Sequence, residues 1–212
     1  MSTADATSVG KANMTEGIDE KKRRFLIAAT TVVGGVGVGF TAVPFIASMK
    51  PSARTQAAGA PVEVDISKME YGQKMTIEWR GKPVWIVKRN KEHLAALPTL
   101  NSQLRDPNSD NTDQQPDYAK NPNRSIKPEY LVVIGICTHL GCSPSYVKEE
   151  DTHDLGSDWK GGFFCPCHGS FFDLAGRVFQ GVPAPSNLVI PPYTYLSNTL
   201  IKVGADYQEG VA

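Results

Sequence analysis

Cys137-Thr138-His139-Leu140-Gly141-Cys142 and Cys165-Pro166-Cys167-His168-Gly169-Ser170 are two short boxes that hold all four cysteines and two of the four histidines of a 212-residue chain. Two thiolates and two imidazoles suit a zinc ion, or a [2Fe-2S] cluster with two cysteines on one iron and two histidines on the other. A closed zinc site leaves Cys142 and Cys167 without a role, whereas two ligand loops that need a fixed mutual position would be tied well by a disulfide. The order of the ligands also speaks against zinc. Zinc fingers present a Cys pair and then a His pair, while here each box mixes the two: C-x-H, then 25 residues, then C-x-x-H. A zinc site is the alternative, and colour separates the two cheaply.

The mixed ligand set has a chemical consequence. An oxidised [2Fe-2S] core with two thiolates and two neutral imidazoles carries no net charge, so uptake of an electron leaves a single negative charge. With four thiolates the same step starts from a dianion. Imidazole ligation therefore raises the potential, in general to roughly −150 to +300 mV against about −400 mV for plant-type clusters. Mild donors such as quinols come within reach. A histidine bound through one ring nitrogen keeps the other free, and a ferric neighbour acidifies that N–H, so reduction is expected to draw in a proton.

The CTHLGC and CPCHGS boxes resemble those of the Rieske iron-sulfur proteins of quinol-oxidising cytochrome bc complexes, in particular the proteobacterial bc1 type. The resemblance implies one [2Fe-2S] cluster, with Cys137 and Cys165 on the buried iron, His139 and His168 on the outer iron, and Cys142 paired with Cys167. It makes His168 and His139 the catalytic residues, His168 hydrogen-bonding the quinol and taking its proton and electron. Ser170 matches a family serine whose hydroxyl donates to a cluster sulfide. Phe172 departs from the family, many of whose members carry there a tyrosine that donates to a ligand sulfur; a lower potential is expected in consequence. Leu140, Gly141, Pro166 and Gly169 match a docking tip, and Gly181-Val182-Pro183-Ala184-Pro185 resembles the proline-rich loop over the cluster. Pro183 and Pro185 fit that pattern, while Val182 replaces a common glycine.

The implied function is transfer of one electron from ubiquinol, at the quinol-oxidation site of cytochrome b, to cytochrome c1 in a respiratory chain. The implied assembly is a dimeric membrane complex. Rival readings are a Rieske carrier of a plastoquinol-oxidising or arsenite-oxidase system, and a soluble ferredoxin of an oxygenase. Such ferredoxins have a shorter gap between the boxes, no extra cysteine pair and no anchor.

With 22 basic and 22 acidic side chains the chain has no long-range field that suits nucleic acid. Residues 1–20 read as a disordered cytoplasmic tail. Lys21-Lys22-Arg23-Arg24 opens segment 21–47, in which Phe25 to Ala47 runs for 23 residues without a charge. As a helix that run is about 35 Å long, enough for a bilayer core of about 30 Å. It is longer than the 7 to 15 or so apolar residues of a cleavable signal. Gly34, Gly35, Gly37 and Gly39 suit close helix packing, and Pro44 suits a kink. Arg23-Arg24-Phe25-Leu26 resembles a twin-arginine export signal, although the usual spacing makes Lys22-Arg23 the pair. The basic flank places the N-terminus in the cytoplasm of a bacterium, and the head in the periplasm, where a disulfide survives. Asp5, Glu16, Asp19 and Glu20 disfavour a mitochondrial presequence.

Residues 48–61 are rich in Ala, Gly and Ser and read as a flexible hinge linker. Residues 62–212 read as an all-β head, an antiparallel sandwich with a cluster-binding subdomain. Strands are predicted at Val62 to Ile66, Met75 to Trp79, Val84 to Val87, Leu131 to Ile134 and Asn198 to Val203, with Arg80-Gly81-Lys82 turning one hairpin and a helical turn or two at Glu92 to Leu97. Ser102 to Asn123 is polar and is predicted to be an exposed insertion. His93 and His153 are expected to be solvated surface groups.

Overall fold

The computed structural model describes residues 19–151, 155 and 159–205. The expected tail therefore lies outside the described residues up to residue 18, as does His153. The chain divides into two compact units, Met1–Ser52 and Ala53–Ala212.

The first unit is helix α1, Glu20–Ser48. Asp19 caps it, its carboxylate accepting from the Lys21 and Lys22 amides at 3.1 and 3.3 Å, and Glu20 places negative charge at the positive end of the helix. Twenty-nine residues give a rod of about 44 Å. None of its side chains is buried within the chain, and Phe25, Val33, Val38, Phe40 and Phe45 are all broadly exposed. Two hydroxyls in the run are satisfied internally: Thr31 and Thr41 donate to the Ile27 and Gly37 carbonyls at 2.8 Å. An exposed apolar helix with no unpaired hydroxyl at these positions is suited to lipid.

Pro51 follows the helix, and the predicted hinge is not wholly irregular. Ala53–Ala58 forms a short helix, α2. The alanines, Arg54 and Gln56 are good helix formers, and that local preference was overlooked in reading the composition as linker.

Among the described residues, the second unit is built on three antiparallel sheets of three strands. The strands are β1 Val62–Asp65, β2 Lys74–Trp79, β3 Lys82–Lys88, β4 Tyr130–Ile134, β5 Ser145–Val147, β6 Gly162–Cys165, β7 Ser170–Asp173, β8 Tyr193–Ser197 and β9 Leu200–Val203. The sheets run β1-β9-β8, β2-β3-β4 and β5-β6-β7. Arg80 and Gly81, both at positive φ, turn β2 into β3 with the backbone twist that suits a two-residue hairpin. Both β3 and β4 carry continuous apolar runs, and every residue of β4 is buried. One apolar core runs from Val64 and Ile201 through Trp85 and Val133 to Phe163, Cys165 and Phe172. Trp85 of β3 stacks on Phe163 of β6 at 5.2 Å between ring centres, joining the second sheet to the third.

Two expectations fail here. The Ser102 to Asn123 stretch is exposed only in part: Leu104, Ser109, Gln115 and Ala119 are buried in it. It has few apolar side chains because it packs through backbone and side-chain hydrogen bonds instead. Nor is His93 simply solvated. Its Nδ1 accepts from the Asn90 amide at 3.4 Å while its own amide donates to Asn90 Oδ1 at 2.7 Å, a reciprocal cap on helix α3, Lys91–Ala96.

Candidate metal centre

The buried strand β4 leads through Gly135 and Ile136 to Cys137. There the Cys137 amide donates to the Cys142 carbonyl at 2.7 Å, and the Cys137 carbonyl accepts from the Gly141 amide at 3.0 Å. The loop so closed leaves Leu140 at its apex, 70% exposed. The second box repeats the device within a hairpin. Cys165 ends β6 opposite Ser170, which begins β7, and the Cys165 carbonyl accepts from the Gly169 amide at 3.0 Å. Gly141 and Gly169 occupy equivalent places four residues after a cysteine, with φ of 83° and 72°. A side chain at either position would be strained, which accounts for both glycines.

Cys142 and Cys167 form a disulfide that joins the two loops. The sulfur atoms of Cys142, Cys165 and Cys167 lie within 4.8 Å of one another. Those three do not make a ligand set, because two of them are already bonded together. Cys137 and Cys165 are the free thiols, each 2% exposed. The imidazoles of His139 and His168 meet edge to face, 4.7 Å apart and at 88°. His139 Nδ1 is buried without a hydrogen-bond partner. A buried polar atom left unpaired costs about 1 to 3 kcal/mol, so it calls for a bond that protein atoms do not supply. His168 is exposed beside it. The donor set fits a group that takes two buried sulfurs and two imidazole nitrogens.

Burial pushes the Cys137 thiol up, and hydrogen bonds from the His139 amide and the Ser170 hydroxyl act in the opposite direction by favouring the thiolate. Ser170 is fully buried, and its Oγ also accepts from the Ala184 amide at 3.1 Å. Pro183 and Pro185 are exposed on either side of Ala184, which is buried. Thr138 Oγ1 ties the first box to the same loop by donating to the Ser186 carbonyl at 2.7 Å. Phe172 is fully buried opposite Phe163 in register, and it brings no hydroxyl to the centre. Gly141 and Pro166 are exposed with Leu140, and Gly169 is half-buried.

Sequence reading missed the polar residues behind the boxes. Arg89, Arg124 and Arg177 are buried almost completely. Arg89 donates to the Pro128, Asn123 and Leu174 carbonyls and to Ser125 Oγ, each at 2.9 Å. Arg177 pairs with the buried Asp173 at 2.7 Å, and Asp173 Oδ1 accepts from the Ala175 and Arg177 amides. Burial lowers Arg89 and Arg124 to about 10, so both remain cationic at neutral pH. An available signal was the Asp and Arg spaced four apart in the otherwise apolar run Phe171-Phe172-Asp173-Leu174-Ala175-Gly176-Arg177-Val178-Phe179.

Comparison with known proteins agrees with this geometry. Residues 118–194 match the Rieske [2Fe-2S] domain, and residues 13–52 match a family described as Ubiquitinol-cytochrome C reductase Fe-S subunit TAT signal. The ubiquinol-cytochrome c reductase iron-sulfur subunit of Allochromatium vinosum is 64% identical over 90% of this chain and 92% of its own length. The subunit of the same name from Bradyrhizobium diazoefficiens is 44% identical over 86% and 94% of the two chains. A solved chain described as Hyperthermophilic respiratory Complex III is 26% identical, covering 84% of this chain and 98% of that one, with a TM-score of 0.44, too loose an overlay to add to the assignment. Sequence identity across almost the whole length decides the matter: the chain belongs to the family of ubiquinol-cytochrome c reductase iron-sulfur subunits and carries its Rieske [2Fe-2S] domain.

Proposed function

We propose that Cys137 and Cys165 hold one iron and His139 and His168 the other, and that this chain carries electrons from ubiquinol to cytochrome c1. The observation that carries the ligand reading is the unpartnered, buried Nδ1 of His139, edge-on to His168 and on the same pair of loops as two buried free thiols. When bound, the cluster supplies a one-electron acceptor of high potential. The residues around it manage the proton and the water. With Nδ1 of His139 committed to the metal, its Nε2 is the atom left to hold a proton. His168, exposed at the tip, offers its free ring nitrogen to a quinol hydroxyl and takes up that proton. Leu140, Gly141 and Pro166 form an apolar rim that keeps water from the contact. The disulfide fixes the separation of the two loops, so the ligands need not be gathered at each turnover.

The membrane setting follows from helix α1, long and apolar enough to cross a bilayer. The chain is read as a single-pass protein with its N-terminus cytoplasmic and its head periplasmic, on the basic flank and on the oxidising compartment that a disulfide needs. The high identity to a ubiquinol-cytochrome c reductase subunit supports cytochrome b and cytochrome c1 as partners and ubiquinol as donor. A dimeric complex and a swinging head on residues 48–61 belong to the same reading. In the assembled complex, His168→Ala and His139→Ala should each abolish ubiquinol to cytochrome c turnover together with cluster iron. His93→Ala should leave both in place. Retention of cluster and turnover by either box variant would refute the ligand assignment.

A further inference from the structure

Hydrogen bonds and an amide clasp tie the polar stretch from Gln103 to Arg124 to the loop between Gly176 and Leu188 that carries the Pro-Ala-Pro tripeptide. The Gln103 carbonyl accepts from the Gln180 amide at 2.8 Å, and the Leu104 carbonyl from Gln180 Nε2 at 2.9 Å. The Arg105 amide donates to the Val178 carbonyl and Arg105 Nη2 to the Val182 carbonyl, both at 3.0 Å. Arg124 straddles the neck of the loop, donating to the Gly176 carbonyl at 3.2 Å and the Leu188 carbonyl at 2.9 Å.

Asn187 closes that neck from inside. It is fully buried, and both halves of its amide are used: Oδ1 accepts from the Val178 amide at 2.8 Å, and Nδ2 donates to the Asp106 carbonyl at 3.0 Å. Only this orientation of the side chain satisfies both partners. Leucine of similar volume would leave the buried Val178 amide unpaired and remove the tie to Asp106. From the neck the loop returns to the metal centre, where the Ala184 amide donates to Ser170 Oγ. A hydroxyl has one proton and two acceptor sites. With the Ala184 N–H on the oxygen, the proton is free to point at sulfur, and Ser170 lies opposite Cys165 in register.

We infer that Asn187 is a positioning residue for the metal centre: by locking the neck of the proline-rich loop to Asp106, it sets the Ala184 amide that leaves the Ser170 hydroxyl proton free for a sulfur of the centre. The inference rests on the ligand reading above and assigns the Gln103–Arg124 stretch the task of holding that loop. Its energetic expression is the reduction potential, because a hydrogen bond to sulfur stabilises the more negative, reduced state more than the oxidised one.

The test is a potentiometric titration followed by electron paramagnetic resonance on the full-length holoprotein, with iron content and melting temperature measured in parallel. Four forms are compared: wild type, Ser170→Ala, Asn187→Leu and the double variant. If Asn187 acts through Ser170, Asn187→Leu lowers the midpoint by a third or more of the Ser170→Ala shift, and the double variant titrates with Ser170→Ala alone. An unchanged midpoint at full iron loading would overturn the inference, as would an equal further shift on the Ser170→Ala background. Should Asn187→Leu fail to hold iron, Arg105→Ala and Gln180→Ala, both exposed, decide by the same comparison with a smaller shift in the same direction. Wild type without a Rieske signal would instead refute the ligand reading, a separate outcome.

Discussion

The sheet β2-β3-β4 and the loops around the metal centre are held together by different forces. In β4 all five side chains are buried, and β3 places Val84, Trp85, Ile86 and Val87 in the same core. That sheet rests on apolar burial, worth about 25 cal/mol per Å² and indifferent to direction. The metal loops have a disulfide, three buried guanidiniums, a buried carboxylate and a run of side-chain bonds to carbonyls. Such bonds have direction as well as strength, and they keep ligand atoms within the small tolerance that a metal site needs. Apolar packing builds the support, and polar ties set its working end.

Breaking one tie should cost more than making one hole. Asp173→Asn strips the charge that faces buried Arg177 and should cost about 3 to 5 kcal/mol, since an unpaired buried cation remains. Replacing both partners with apolar residues, Asp173→Leu with Arg177→Met, should not recover that loss and should return less cluster, because the Ala175 and Arg177 amides and the Leu97 carbonyl lose their partners. Chemical melts with iron analysis check both. Leu131→Ala in β4 should cost about 2 to 5 kcal/mol through lost burial and the cavity left, with cluster iron retained at temperatures where the head stays folded. If Leu131→Ala loses iron while folded and Asp173→Asn does not, the division of labour is wrong.

A smaller effect is expected at Phe172, which sits where apolar core meets metal loop. Phe172→Tyr adds a donor beside the centre and should raise the midpoint, by about 59 mV for each tenfold preference for the reduced state. A redox titration showing no rise would mean that packing directs the new hydroxyl elsewhere. The smallest effect concerns His93. Burial holds its pKa below the ordinary 6.5, against the pull of Glu149, Glu150 and Glu92 in the other direction and with Arg89 adding to the depression. As pH falls through 6.5, the unfolded chain takes up a proton that the folded chain refuses, so stability contributed above that pH is lost on acidification. Melts at pH 7 and pH 5 should show a steeper loss in wild type than in His93→Gln.

The difference between the regions also explains what could be read in advance. Val84 to Val87 and Leu131 to Ile134 announce themselves, because continuous apolar runs encode burial locally. The boxes were legible because metal ligation restricts residue type and spacing together. Ser102 to Asn123 reads as exposed from its composition, and the burial of Ser109 and Gln115 within it depends on hydrogen bonds that composition does not show. Arg89 looks like any surface arginine until Leu174, 85 residues later, is brought against it. The reciprocal cap of His93 was open to inspection, with Asn90 three residues before it at a helix start. The disulfide followed from the resemblance to a family, because four cysteines permit three pairings.

The most direct test of the whole account is electron paramagnetic resonance of the purified full-length protein before and after ascorbate, and then after dithionite. The account predicts a silent oxidised sample and a rhombic signal that appears with ascorbate, as a histidine-ligated [2Fe-2S] cluster of high potential requires. A signal that needs dithionite would contradict the high potential, and silence with both reductants in a protein that retains its metal would contradict the cluster itself.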